Sequence, residues 1–402
     1  MRIQFVPGRQ PPALLDLPWT EPLARWDDPR LVRMAHGLSR HVVRFVREGE
    51  RVYALKELPD DEALHEYRML RLLAEQHEPV VEAVGAVTAR ADGLDAVLIT
   101  RYLDYSLPFH YLLGAEGGEA LADRLIDAGV VLLARLHLEG FYWGDCSLSN
   151  LLFRRDAGSL MAYLVDAETA EHYESLEDGM RIADLDIAKE NVVGGLLDLV
   201  AAGRLDASVD AVGFAEAFEQ RYVALWDELT GTQELDAANR HEIEHRVRRL
   251  NELGFDVGEI LVEGDGAHRS LRVTPVLVEE GHHARELLRL TGLSVQENQA
   301  RRLLNDIASY GAHLARAERR PQPVAVVAAR WLSEVYGPVV DAIPAELRGR
   351  LEEAELFHEL LEHRYYLSEA AGRDVGTEVA LESYVTDVLR ARPPEQVLLE
   401  DP

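Results

Sequence analysis

The chain has 402 residues, 47% of them apolar, and a formal net charge of −29; the length favours two domains, and the charge argues against nucleic acid or an anionic membrane surface as a partner. The single cysteine excludes an intrachain disulfide framework. The first residues lack the apolar stretch of a secretion signal, and no segment is apolar for long enough to span a bilayer, so we expect a cytoplasmic protein without a transmembrane segment.

Residues 1–30 carry six prolines, and each proline restricts itself and its predecessor to extended geometry. This composition predicts an extended, Pro-rich N-terminal arm over residues 1–30. Trp19 and Trp26 are the candidates that anchor the arm to the surface of a domain.

The segment from about 40 to 100 is rich in β-branched and apolar residues. Strands are predicted at 42–46 and 51–58, and a helix follows whose first turn is acidic, as the helix dipole prefers. Two further strands, 80–90 and 94–102, join across Asp92-Gly93, which is a strong hairpin signal. The predicted order is strand, strand, helix, strand, strand.

From residue 119 the apolar spacing indicates a long helix that ends near Gly140. Short strands are predicted at 150–153 and 161–165, and only helices from about 175 to 250. A hairpin of 256–262 and 271–278 then opens a second region that reads as helical beyond Glu286. These patterns divide the chain after the arm into domains at 31–232 and 233–402.

Only two of the 42 basic residues are lysines, Lys56 and Lys189. A position that stays Lys in such a background is one where the broad fork of Arg does not replace a compact ammonium. Lys56 lies on the second predicted strand, and the next helix carries Glu66, with Glu62 one turn earlier as an alternative partner. Chance survival of two surface lysines is the other interpretation.

The segment with the strongest chemical signal contains Asp145, Asn150 and Asp166. Asp145 lies on a loop, five positions before Asn150, and Asp166 ends the next short strand. Phosphoryl transfer to a hydroxyl needs an Asp that accepts or orients the hydroxyl proton, and oxygen ligands for Mg²⁺. The Asp-x₄-Asn spacing alone also fits a capped turn. The order strand Lys, helix Glu, Asp-x₄-Asn, strand, Asp is what makes the pattern specific.

Residues 144–153 with 164–166 resemble the catalytic half of the protein-kinase-like superfamily, and above all its lipopolysaccharide (Kdo/heptose) kinase branch. Residues 298–307 and 363–369 resemble the uncharacterised domain attached to such kinases in actinobacteria. The resemblance implies an α+β protein: a two-lobed kinase-like domain with a β-rich N-lobe and a helical C-lobe, followed by a mostly helical C-terminal domain with a β-hairpin.

The resemblance also implies ATP and Mg²⁺ as cofactors and assigns roles to residues. Lys56 would contact the ATP phosphates and Glu66 would orient it; Asp145 would be the catalytic base; Asn150 and Asp166 would ligate Mg²⁺. Other nucleotide contacts would come from a hinge beside adenine and a phosphate loop with one glycine: Thr100, Arg101, Tyr102, Leu103, Gly37, Ser39 and Arg40. Asp184 or Asp186 would hold the catalytic loop, a solvated helix face being the alternative.

Two departures bear on function, since Trp143-Gly144-Asp145 stands where protein kinases have His-Arg-Asp, and Asp166-Ala167-Glu168 where they have Asp-Phe-Gly. Both changes are common in small-molecule kinases of the superfamily. We therefore expect transfer to a hydroxyl of a sugar or another small molecule. The alternatives are a nucleotide-binding pseudokinase that works as a scaffold, with a protein partner at its C-terminal domain, and transfer of AMP to a protein.

Overall fold

An antiparallel sheet of six strands forms the first part of the molecule. This computed structural model describes residues 1–6, 14–34, 40–113, 118–230, 255–263, 270–277, 281–392 and 395. The strand order is β1-β5-β6-β4-β3-β2. The strands are β1 (Arg2–Phe5), β2 (Leu31–Val32), β3 (Val42–Glu48), β4 (Arg51–Leu58), β5 (Ala83–Thr88) and β6 (Ala96–Arg101).

Helix α1 (Asp60–Glu75) connects β4 to β5 and packs on one face of this sheet through Tyr67 and Leu70, which are buried. Its first turn holds three acids, where the positive end of the helix dipole stabilises them. Strand β4, which precedes α1, carries Lys56, and Lys56 pairs with Val43 of β3. Along β4 the alternation of side chains places Lys56 and Leu58 on the face that α1 covers and Leu55 on the opposite face, and both leucines are buried.

The N-terminal segment covers the opposite face of the sheet. Trp19 and Trp26 are both buried and meet edge to face with ring centroids 5.2 Å apart, and they share a core with Leu55 and Ile99. Strand β1 is a difference from the expected arm, because it pairs with β5 and extends the sheet. Four residues carry too short a pattern to predict a strand whose hydrogen bonds all come from a distant partner.

The helical part follows and shares one continuous core with α1. Its helices are α2 (Phe109–Leu113), α3 (Gly118–Leu138), α4 (Asp178–Ala201) and α5 (Ala211–Thr230). The strands of this part are β7 (Ser106–Pro108), β8 (Phe141–Tyr142), β9 (Leu151–Asp156), β10 (Ser159–Leu164) and β11 (Glu171–His172). Strands β9 and β10 form an antiparallel hairpin that joins the Asn150 loop to Asp166.

The C-terminal region begins with a β-hairpin and continues as helices around a core of its own. The hairpin pairs β12 (Phe255–Glu263) with β13 (Ser270–Leu277), and Phe255 is buried in the core of the preceding domain. The helices are α6 (His282–Thr291), α7 (Glu297–Glu318), α8 (Val324–Trp331), α9 (Gly337–Asp341), α10 (Glu353–Ala371) and α11 (Thr377–Ser383).

The expected α+β class, with a β-rich first part and a helical second part, is confirmed. Within the described ranges, no helix combines the length and the apolar character that a membrane span requires.

Candidate active site

A cleft of about 450 Å³ lies between the six-stranded sheet and the helical part. This volume falls within the range of small-molecule sites. The cleft brings together residues that are far apart in sequence but were predicted to act together: Arg40, Lys56, Thr100, Arg101, Tyr102, Leu103, Asp145, Asn150 and Asp166. Apolar side chains of Val43, Ala54 and Leu152 complete its walls.

Lys56 lines this cleft and contacts three carboxylates. Its Nζ atom donates to Asp166 Oδ2 at 2.7 Å, to Glu66 Oε2 at 2.9 Å and to Glu168 Oε2 at 3.3 Å. Of the two acids that the sequence left open on α1, Glu66 therefore pairs with Lys56. Glu62 instead offers a carboxylate oxygen near His41 and Glu168.

The electrostatics of this cluster follow from burial and from the excess of acids. Burial alone would lower the pKa of Lys56, but the carboxylates of Glu66 and Asp166 outweigh it and raise that pKa above its ordinary value. Glu66 is buried, and burial together with the negative charge of Asp166 raises its pKa to about 8.

Arg40 and His41 reach the cluster from the segment ahead of β3. Arg40 Nη2 donates to Glu168 Oε1 at 2.8 Å, and His41 Nε2 lies 2.9 Å from Glu168 Oε2. Burial would raise the pKa of Glu168, but Lys56, Arg40 and His41 outweigh it, so that pKa is lowered. Gly37 and Ser39, the other residues of the predicted phosphate loop, lie outside the described residues.

Asp145 and Asn150 meet in the loop between β8 and β9. The Asn150 amide nitrogen donates to Asp145 Oδ2 and to the Asp145 carbonyl, both at 3.1 Å. On the other side of the carboxylate, the Asn191 amide nitrogen of α4 donates to Asp145 Oδ1 at 3.1 Å. Two amides thus hold the two oxygens of the Asp145 carboxylate in place.

The backbone of this loop is held by Asp184, one of the two candidates on α4. Asp184 is fully buried and accepts the N–H of Trp143 at 2.7 Å and that of Gly144 at 2.8 Å. Gly144 has φ +77°, and a Cβ there would lie 3.0 Å from the carbonyl oxygen of Thr169. A glycine is therefore required where protein kinases carry Arg. Asp186, the other candidate, is exposed.

The predicted hinge lies along the edge of the cleft, from the end of β6 onward. The N–H of Tyr102 donates to the carbonyl of Val52 at 2.9 Å, so the fold itself uses this donor. The Tyr102 ring packs edge to face on Phe45 with centroids 5.7 Å apart, and burial raises its pKa to about 12. The side chain of Tyr102 thus serves as a wall of the cleft.

The donor set at the end of β10 suits Mg²⁺. Carboxylate oxygens of Glu66, Asp166 and Glu168 lie within 4.8 Å of one another, and Glu66 Oε1 is buried without a hydrogen-bond partner. Mg²⁺ binds carboxylate and amide oxygens. The Asn150 side chain donates through its amide nitrogen, and its amide oxygen has no hydrogen bond among the described residues. Asn150 and Asp166 would hold the ion, with Glu168 as a further oxygen donor.

The C-terminal domain binds the β9–β10 hairpin through hydrogen bonds to its backbone and side chains. This hairpin runs from the residue after Asn150 to two residues before Asp166. Glu355 of α10 is buried and accepts the backbone N–H of Ala157 at 2.7 Å and of Gly158 at 3.1 Å. In the opposite direction, Asp156 accepts the N–H of Gln299 at 2.8 Å at the start of α7. The two candidate metal ligands therefore flank an element that both domains hold.

Two polar residues of the site, Asn191 and Glu168, were not assigned roles from the sequence. Asn191 follows Asp184 by seven residues, two helical turns, so it lies on the same face of α4; that spacing was the available signal. Glu168 follows Asp166 by two residues. A carboxylate so close to a predicted metal ligand was the signal that could have identified Glu168 as a site residue.

Residues 38–190 match the model of the lipopolysaccharide kinase (Kdo/WaaP) family, and residues 224–389 match a domain of unknown function, DUF4032. The expected resemblance to lipopolysaccharide kinases is thus confirmed for the first domain. Among curated proteins, none matches the chain.

Among solved structures, the chain is similar to WaaP in complex with acyl carrier protein, with 15% identity, a TM-score of 0.37, and coverage of 63% of this chain and 99% of that one. It is also similar to the BubR1 kinase domain, with 14% identity, a TM-score of 0.31, and coverage of 42% of this chain and 58% of that one. The match of residues 38–190 to the lipopolysaccharide kinase family supports a kinase-like phosphotransferase.

Proposed function

We propose that the chain transfers a phosphoryl group from ATP, with Mg²⁺, to a hydroxyl of a sugar or another small molecule, and that it works in the cytoplasm, where ATP is available. The acceptor oxygen bonds to the γ-phosphorus, and its proton passes to Asp145. The bond from that phosphorus to the bridging oxygen breaks, and ADP leaves. Such a reaction depends mainly on positioning and electrostatic stabilisation.

One observation carries this proposal: Lys56, Asp145 and Asp166 line the same cleft, each held by partners that fix its charge or orientation. Lys56 is the phosphate contact and Glu66 orients it. Asp145 is oriented by two amides. Mg²⁺ supplies charge neutralisation at the phosphates when it is bound beside Asn150 and Asp166.

The remaining predicted contacts divide between the two ends of the nucleotide. Thr100, Arg101 and Leu103 line the cleft near the Tyr102 wall, which suits an adenine ring. Arg40 lies near Lys56 at the opposite end and suits the phosphates, because its guanidinium already pairs with the carboxylate of Glu168 and is free to exchange that partner for a phosphate oxygen.

Nucleotide binding is the first test. A ligand that binds only the folded state raises the melting temperature, and the rise grows with the logarithm of the ligand concentration once that concentration exceeds Kd. We expect ATP with Mg²⁺ to raise the melting temperature and Asp166→Asn to remove the Mg²⁺-dependent part. The absence of any shift up to millimolar ATP would contradict both catalysis and a nucleotide-binding scaffold.

The products of ATP separate the remaining functions. ADP supports phosphoryl transfer, and AMP on a protein supports adenylylation. Bound ATP without turnover supports a pseudokinase that acts through a partner of the C-terminal domain.

A further inference from the structure

One face of α4 forms the wall of the cleft next to Asp145. Glu190, Asn191, Gly194, Gly195 and Asp198 all line the cleft. The spacing of 190, 194 and 198 is four residues, so these three positions share one face of the helix. This wall is continuous with the proposed base, because Asn191 donates to Asp145 Oδ1 at 3.1 Å.

The two adjacent glycines have no packing reason to be glycine. Both lie inside a helix of 24 residues, where a glycine is less favourable than Ala. A Cβ built on Gly194 or on Gly195 meets nothing within 4 Å, and neither has a positive φ. Their effect is to leave open space in the cleft beside Asp145, where an acceptor hydroxyl must reach.

The charged residues that α4 contributes to the cleft, Glu190 and Asp198, are both acids. Lys56 and Arg40 stand at the end where the phosphates of ATP would lie. Both acidic side chains of α4 are exposed, and among the described residues neither carboxylate has a hydrogen bond or an ion pair. Lys189, next in sequence to Glu190, points instead to Glu219, with Nζ 2.7 Å from Oε2.

We propose that this wall of α4 is the acceptor site and that the acceptor is a cationic polyhydroxylated small molecule, such as an amino sugar. This inference rests on the proposed phosphotransferase function. Glu190 and Asp198 bind the amine through charge-assisted hydrogen bonds, and the glycines admit the ring. A phosphorylated or otherwise anionic acceptor is disfavoured, since it would bring negative charge against two carboxylates.

The test supplies acceptors of known charge. Small molecules from an extract of the source cells are divided by ion exchange into cationic, neutral and anionic pools, and ADP release is measured with each pool. We expect the cationic pool to support release. Release with only the neutral or the anionic pool would overturn the inference while leaving the phosphotransferase in place.

Two variants locate the site. Gly194→Leu fills the space yet favours the helix, so we expect at least a tenfold loss of ADP release with unchanged ATP affinity, a rough figure for one blocked contact region. Gly179→Leu is the matched control: it lies in the same helix, also in open space, and does not line the cleft. Equal activity of the two variants would overturn the site.

Charge is tested separately with Glu190→Gln and Asp198→Asn. Each should raise the KM for the cationic pool roughly tenfold, as for a lost charge-assisted hydrogen bond, while the KM for ATP stays unchanged. An unchanged acceptor KM in both variants would overturn the role of charge. If ATP does not bind to any of these proteins, the proposed function itself fails, which is a different result from a misassigned acceptor.

Discussion

The Nζ atom of Lys56 lies 2.7 Å from Oδ2 of Asp166, so the proposed phosphate contact and the proposed metal ligand touch directly. The second oxygen of Asp166 accepts the backbone N–H of Glu168 at 3.0 Å. The ammonium therefore neutralises carboxylates of the cleft, and under the proposed function a nucleotide with its metal would replace these contacts. A compact donor that reaches three carboxylates at once is a role that a planar guanidinium does not fill.

Replacing Lys56 with Arg should reduce ATP turnover by about a hundredfold or more, as for loss of one positioned charge in a site shielded from water. The charge is kept, but the fork does not fit among Glu66, Asp166 and Glu168. Lys189→Arg is the matched control, since Lys189 of α4 pairs with Glu219 of α5. This variant should leave turnover unchanged. Equal effects would mean that the lysine at 56 has no special role.

The stability of the catalytic loop should depend on Asp184. Asp184→Ala leaves two buried backbone donors, the N–H groups of Trp143 and Gly144, without an acceptor. We expect the free energy of unfolding, measured in urea, to fall by about 3 kcal/mol or more. Asp186→Ala, two residues away and exposed, should change it by less than about 0.5 kcal/mol. A loss of similar size from both variants would contradict this account of the loop.

Glu66 predicts how stability depends on pH. The folded-state pKa of about 8 lies above the ordinary value of 4.5, so the folded protein holds the proton more tightly than the unfolded chain does. This contribution to stability is complete below about pH 4.5 and is lost as the pH rises through 8. Without nucleotide, unfolding free energy should therefore decrease between pH 5 and 8.

The variant Glu66→Gln should flatten that decrease, because an amide does not titrate yet still accepts a hydrogen bond from Lys56. Glu75→Gln, on the exposed end of the same helix, should keep the wild-type slope. An unchanged slope in the Glu66 variant would assign the pH dependence to other groups.

Glu355 should connect the C-terminal domain to the active site. Glu355→Ala removes the acceptor of the Ala157 and Gly158 N–H groups, and we expect a loss of about 3 kcal/mol in unfolding free energy together with reduced ATP turnover, since the hairpin positions Asn150 and Asp166. Glu362→Ala is the control: it changes a half-exposed acid of the same helix and should affect stability and turnover less than Glu355→Ala does. If Glu355→Ala destabilises the protein but leaves turnover per folded molecule intact, the domain contact is structural only.

The α+β class and the order of strands around α1 were predictable because they depend on local periodicity. The hairpin at Asp92-Gly93 and the helix after Pro59 each carry their own signals, and both elements are present. Strand β1 was not predictable, because its pairing with β5 depends on residues 80 or more positions away.

The candidate site was only partly predictable for the same reason. The catalytic-loop contact of Asp145 with Asn150 is local and follows from their spacing, whereas its contact with Asn191 spans 46 positions. Glu62 and Glu66 lie one turn apart on α1, so the sequence left both open as partners of Lys56. The sheet geometry, which sets how far α1 lies from β4, decides between them in favour of Glu66.

The most direct test of the central claim follows the γ-phosphate of labelled ATP in wild type and in Asp145→Asn. The variant keeps the shape of the side chain and loses about one hydrogen bond to Asn150 or Asn191, so ATP affinity should stay within a few-fold. Because the base acts in the transition state, transfer itself should be lost. We predict that wild type releases ADP and places the label on a small-molecule acceptor, and that Asp145→Asn does neither. Undiminished transfer by the variant, or AMP as the product of wild type, would contradict the account.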